Sequence, residues 1–189
     1  MKNKFSLRDK LDQIAKKLVE TKYDLEFGDR AESIKTITNP LNTMVEYTNI
    51  VATEAHRIMM AGLRANSPEE YRETVESIDR QRRNTHNSAI AGLNMLNRVC
   101  ENELHIGKFA DINTENREDV ADFAATVAKQ QAADFDTETE PEPVTMHEAT
   151  AGETTVQKKS AERLGRLLDK YEDLLNASET EQLAEPAYA

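Results

Sequence analysis

Apolar residues recur at steps of three and four along most of the first 133 positions, which predicts an all-α chain. The clearest run is 68–100. Ser67 stands as an N-cap, Pro68 suits the first helical position, and Glu70 completes a capping box. The seam that follows is Tyr71, Val75, Ile78, Arg82, Thr85, Ala89, Leu93, Leu96 and Cys100. Unbroken, this helix is about 50 Å long. A first helix is predicted over 6–27, capped by Ser6, striped by Leu7, Leu11, Ile14, Leu18 and Leu25, and stopped at Gly28-Asp29. Residues 29–38 read as a connector. Asn39-Pro40 then opens a second helix, with its apolar face at Leu41, Met44, Tyr47, Val51, Ala55, Ile58 and Gly62, widened by Met59, Met60 and Leu63. The methionines serve more simply as core filler than as an adaptable surface. Asn66-Ser67 is a short connection, so the second and third helices should form an antiparallel hairpin. A fourth helix is expected from about Asn116 to Ala133, completing an up-down bundle of four main helices over 1–133.

The middle of the third seam breaks its own pattern. Arg82 and Thr85 stand where apolar residues should face a core, flanked by Asp79, Arg83 and His86. Asp79 and Arg83 are four apart and can meet on the helix surface, as can Arg82 and His86. Two readings are open: a solvated crossing or kink, and a buried polar network or anion site between helices. A buried Arg82 needs a partner, because an unpaired interior charge is costly. Asp79 and Glu54 are the candidates. The pattern I-D-R-Q-R-R-x-x-H-N-x-x-I-x-x-L-N-M-L-N-R-V-C, residues 78–100, resembles the signature of a Gram-positive bacterial family of small helical-bundle proteins of unknown function. The positions that carry the likeness are Asp79, Arg82, Arg83, His86, Asn97, Arg98 and Cys100, and it extends over about residues 40–105. It implies a helical bundle and brings no activity.

Residues 134–156 hold seven acidic side chains, no Lys or Arg, and two prolines. Such a stretch cannot bury enough apolar surface to offset its ordering entropy, so an acidic disordered linker is expected. Beyond it an amphipathic helix is predicted within 157–178, striped by Leu164, Leu167, Leu168, Tyr171, Leu174 and Leu175, followed by a frayed tail over 179–189. A helix of this length is marginal alone, so the stripe wants a surface: its own bundle, a second copy or another partner.

Charge sharpens this division. The net charge is −11, yet residues 1–110 carry 17 basic and 16 acidic side chains, so the acidity lies in the back of the chain. That balance argues against general nucleic-acid binding. With 38% apolar residues, 5% aromatic and no Trp, any core must be built from aliphatic side chains. The single cysteine, Cys100, excludes a disulfide framework and a cysteine-based zinc site, and on the apolar seam it reads as a small buried hydrophobe. His56, His86, His105 and His147 lack a carboxylate three residues before them, so the Glu-x-x-His ligand pattern of di-metal bundles is missing. Gly92 and Gly165 fall inside helices, where they would permit close packing. No signal peptide or membrane span is apparent, and the basic faces of the first helix are offset by acidic ones, so a cytoplasmic bacterial protein is expected. We expect no enzyme, no cofactor, no metal and no small-molecule ligand. The chain reads as a bundle acting through protein contacts or self-association, with residues 160–176 docking through leucine anchors. The alternative is a nucleic-acid-associated or charge-mimicking regulator using the acidic linker and the Arg80, Arg82, Arg83 cluster.

Overall fold

The computed structural model describes residues 5–136 and 149–182, and within them the chain is helical with no strand. The elements are α1 (Leu7–Glu20), α2 (Arg30–Arg64), α3 (Pro68–Arg98), a π-helical turn (Val99–Glu103), α4 (Arg117–Asp136) and α5 (Ala149–Gln182). Caps behave as their residue types require. Ser6, Asp29 and Ser67 each accept a hydrogen bond from the backbone N–H three residues on, at 3.3, 2.8 and 3.1 Å. Glu70 reaches back to accept from the N–H of Asn66 at 2.8 Å, one residue before the Ser67 N–H of a reciprocal box.

Two boundaries differ from expectation. α1 stops at Glu20, not at residue 27. The Thr21 hydroxyl donates to Lys17 O and Leu18 O, and Lys22 and Tyr23 then take left-handed backbone conformations, with φ of 51° and 59°. Such conformations cost a non-glycine residue about 1–3 kcal/mol and persist where the surroundings enforce them. Here the Tyr23 hydroxyl is held by Glu172 of α5. The second helix starts at Arg30, not at Asn39, because Asp29 supplies an earlier cap and residues 29–38 form no connector. Pro40 therefore lies inside α2, where it removes one ladder hydrogen bond. It is buried against α3. A Cβ built on Gly92 would sit 3.0 Å from Pro40 Cβ and 3.2 Å from Pro40 Cα, so a larger residue there would push the helices apart by a few tenths of an ångström. Gly165 has no such role, since a Cβ there meets open space.

α2 and α3 run antiparallel, as Tyr47–His86, Glu54–Arg82 and Arg57–Gln81 pair in opposite sequence order. One core is shared by all five helices: Leu11, Ile14 and Leu18 of α1, Leu41 and Met44 of α2, Leu93 and Leu96 of α3, Val120 and Val127 of α4, Leu164 and Leu168 of α5. After the π turn, Leu104 and Phe109 fold inward. Asn97 anchors that returning segment by donating to Ala110 O and accepting from Ala110 N, both at 3.0 Å. Phe5 packs edge-on against Phe109 and Phe123, with centroids 5.6 and 4.9 Å away.

The bundle therefore differs from four helices plus a tethered appendage. α5 is a member of the core, and it begins at Ala149, inside the stretch expected to be a disordered linker. The last prolines of that stretch are Pro141 and Pro143, so from Ala149 onward nothing forbids a helix. The remainder of the expected linker, 137–148, and the tail from 183 lie outside the described residues.

The core does not reach the tip of the α2/α3 hairpin. With 35 and 31 residues the two helices are about 52 and 46 Å long. Between residues 51 and 77 only Ala61 is buried. The tip third of the hairpin therefore projects beyond the bundle as a two-helix arm.

Candidate functional site

At the base of this arm the structure brings the expected polar residues together. Arg82 lies between α2 and α3, its Nε 3.1 Å from Glu54 Oε1 and one terminal nitrogen 2.8 Å from Asp79 Oδ1. Arg83 pairs with the other Asp79 oxygen at 2.9 Å. The Nε of Arg82 is close to Glu54 but not aligned for a hydrogen bond, so that contact is an ion pair. Hydrogen bonding by Arg82 and the two guanidinium charges hold the Asp79 carboxyl below its ordinary range. The network is half-exposed, and its two carboxylates balance its two arginines. Arg82 and Arg83 are thus occupied by their own chain, which weakens the anion-site reading.

His86 does not join the arginine pairs. It is buried beside Tyr47, with Nδ1 3.1 Å from the Tyr47 hydroxyl and the ring centroids 5.3 Å apart. Burial, then the positive charges of Arg117 and Arg82, lower its pKa. Tyr47 and Arg117 escaped the sequence reading. Tyr47 looked like ordinary core, and Arg117 comes from the first turn of α4, 31 positions away in sequence.

This environment fixes the sign of a pH effect. Because His86 binds its proton less readily when folded, the unfolded chain takes it up first as pH falls. The cost is absent above about pH 6.5, grows below it, and levels off beneath the folded pKa. Glu54 and Asp79 are the nearby carboxylates, and the Asp79 contribution is lost only lower, below about pH 4. We expect His86→Gln, which keeps a partner for Tyr47 and cannot titrate, to flatten the fall in urea midpoint between pH 6.5 and 5. An unchanged slope would show that His86 does not control it.

The leucine stripe of α5 is not open. Leu164 and Leu168 are fully buried, and Leu167, Tyr171 and Leu175 pack against the same core. Leu174 alone of the six is exposed. Polar contacts lock the helix in place. Tyr171 donates to Asp12 at 2.8 Å, and Arg30 at the start of α2 pairs with Asp169 and Glu172 and donates to Gly165 O. The docking surface expected at residues 160–176 is therefore occupied by α1, α2 and α4 of the same chain.

The open apolar surface is on the arm. Among the described residues six large hydrophobics are exposed, and Val51, Met59, Leu63 and Tyr71 all lie there. Met59 is 55% and Leu63 73% exposed, so the methionine region is surface and not core filler. Its residues follow the helical period well enough, but the hairpin outruns the helices that could cover them. Tyr71 lies over Gly62, which joins the apolar sides of the two limbs. The arm also carries a shallow groove lined by Arg57, Arg64, Glu70, Thr74 and Ser77 together with Met60, Ala61, Ala65 and Ile78.

Cys100 is buried, and desolvation pushes its thiol up to about 12, far from the range of a nucleophile. No helix among the described residues is long and apolar enough to cross a membrane.

A helical core with a projecting hairpin, and a self-balanced ion network at the hinge between them, defines the class of molecule. The chain belongs to the family described as protein of unknown function (DUF3232), which matches residues 10–134. The match spans α1 to α4 and ends before α5. It is wider than the 40–105 of the resemblance and agrees with it in bringing no activity. No curated protein matches the chain. No solved structure matches it either.

Proposed function

We propose that this protein works through protein contacts, as a structural or adaptor bundle without catalysis, and that the α2/α3 arm carries those contacts. The observation behind the reading is the set of exposed apolar side chains Val51, Met59, Leu63 and Tyr71 on a part of the hairpin that its own core does not need. Clustered exposed apolar side chains mark interaction surfaces, and methionine adapts to a partner's shape. The burial of Leu164 and Leu168 moves the contact surface away from α5. Pairing of Arg82 and Arg83 with Glu54 and Asp79 engages two of the three arginines of the Arg80, Arg82, Arg83 cluster that the charge-mimicking alternative invokes.

Native mass spectrometry of the protein drawn gently from its own cells tests the reading. We expect a species heavier than the 21.4 kDa monomer, lost when Met59 and Leu63 are both changed to Asp. A bare monomer, or a heavier species indifferent to those changes, would contradict it.

A further inference from the structure

We propose that the groove on the α2/α3 arm binds an acidic amphipathic helix, one that carries two carboxylates about two turns apart with an apolar side chain between them. This adds a second surface to the arm. It stands on the chemistry of the groove and not on the exposed side chains of Val51, Met59, Leu63 and Tyr71.

The groups that the chain leaves unspent in the groove select the partner. Glu70 is the one carboxylate among the residues that line it, and its Oε2 already accepts from the backbone N–H and the side-chain amide of Asn66, at 2.8 and 3.3 Å. The Thr74 hydroxyl donates to Glu70 O at 2.8 Å. The stronger donors are not spent in this way. Arg57 gives one terminal nitrogen to Gln81 at 2.7 Å, and the rest of its guanidinium fork stays open. Among the described residues the Arg64 and Ser77 side chains have no hydrogen bond, and neither Arg57 nor Arg64 has an ion pair. Arg30 and Arg82, by contrast, are each paired with two carboxylates of their own chain. Two unpaired positive charges beside a spent carboxylate call for a partner that brings negatively charged acceptors.

The same groove is lined by Met60 and Ala61 of α2 and Ile78 of α3, so the partner must also bring apolar surface. A nucleic acid offers phosphates and no aliphatic group for Met60 and Ile78, and the net charge of −11 repels it. Spacing gives the partner its form. Arg57 and Arg64 are seven positions apart on α2, about 10 Å along the axis. Carboxylates seven positions apart on a facing helix match that distance, and the residues three and four along fall on the same face between them. An extended peptide would lay its backbone N–H and C=O groups against side chains, with no strand among the described residues to pair them, whereas a helix satisfies its own. The valley between two antiparallel helices seats a third by ordinary ridge-and-groove packing.

Selection of helical peptides of about four turns from a randomised display library, against the immobilised full chain, tests the proposal. We expect binders with Glu or Asp seven positions apart and Leu, Ile or Met between them. Their affinity should fall at least about tenfold on Arg64→Glu, the loss of one charged hydrogen bond. Circular dichroism and melting temperature should stay unchanged, because Arg64 is exposed. Binding to the Arg64→Glu chain should return when one of the peptide's two acidic residues is changed to Lys. Binders without the acidic pair, binders indifferent to Arg57→Glu and Arg64→Glu, or no binders at all would overturn the proposal. So would a single-stranded DNA oligomer that binds and is lost on the same substitutions, which would make the groove a phosphate site. Binders lost on Met59→Asp and not on Arg64→Glu would also overturn it, and would leave the contact role of the arm standing.

Discussion

Leu168→Asp is expected to destabilise the whole bundle, not to free one helix from it. Leu168 is fully buried among residues of α1, α2 and α4. Truncating a buried leucine to alanine costs about 2–5 kcal/mol, and an unpaired charge in its place costs more. Set against a total stability of about 5–15 kcal/mol, the loss is severe. Urea denaturation followed by circular dichroism should show a collapsed midpoint, and Leu168→Ala, with a loss of about 3 kcal/mol, gives a readable version if the aspartate variant does not fold. The family match ends at residue 134, before α5, so this outcome is not trivial. If the transition of the remaining helices were unchanged in both variants, α5 would be an appendage and its leucines would again be free for a partner.

Gly92→Val is expected to lower the melting temperature by about 5–10 °C. The Cβ it adds falls 3.0 Å from Pro40 Cβ and 3.2 Å from Pro40 Cα, inside normal contact. The pyrrolidine ring is part of the backbone and cannot swing away, so α2 and α3 must separate. Overpacking of this kind costs about 1–3 kcal/mol, and for a chain of this size each kcal/mol is worth about 2–4 °C. Gains in helix propensity from replacing glycine, about 0.5–1 kcal/mol for alanine and less for valine, do not offset it. Differential scanning calorimetry measures the shift. A neutral or raised melting temperature would mean that the helices are not held together at Pro40.

The same pair shows where sequence reasoning stopped. Asn39-Pro40 looks like a helix start because proline at N1 is its least costly position. What lets the two helices pack closely at Pro40 is a glycine 52 residues later on another helix, and no local pattern displays that. Ser67-Pro68-Glu70 was legible because a cap is a local hydrogen-bond problem solved within four residues. The ion network was legible for a related reason. Asp79, Arg82 and Arg83 share one helix face, and Glu54 follows once the α2/α3 hairpin is inferred. The early end of α1 was not, because Lys22 and Tyr23 adopt left-handed conformations that their side chains do not favour, with Tyr23 held by Glu172 about 150 positions away.

Periodicity was least informative about the arm. It marks Val51 as part of an apolar face that Met59 and Leu63 widen, but burial depends on whether another element lies against that face. Length decides the matter. α2 and α3 extend about two-fifths and one third of their lengths past the helices that cover them, so residues with a core-like pattern end at the surface. For α5 the reverse holds. Its stripe needed a surface, and the chain's own bundle provides one.

Placing a photoreactive amino acid at Leu63, on the arm, and separately at Leu174, the exposed leucine of α5, and irradiating living cells tests the central claim most directly. We predict crosslinked adducts of higher mass from position 63 and none from position 174. Adducts from position 174 alone, or from neither, would contradict a contact role for the arm.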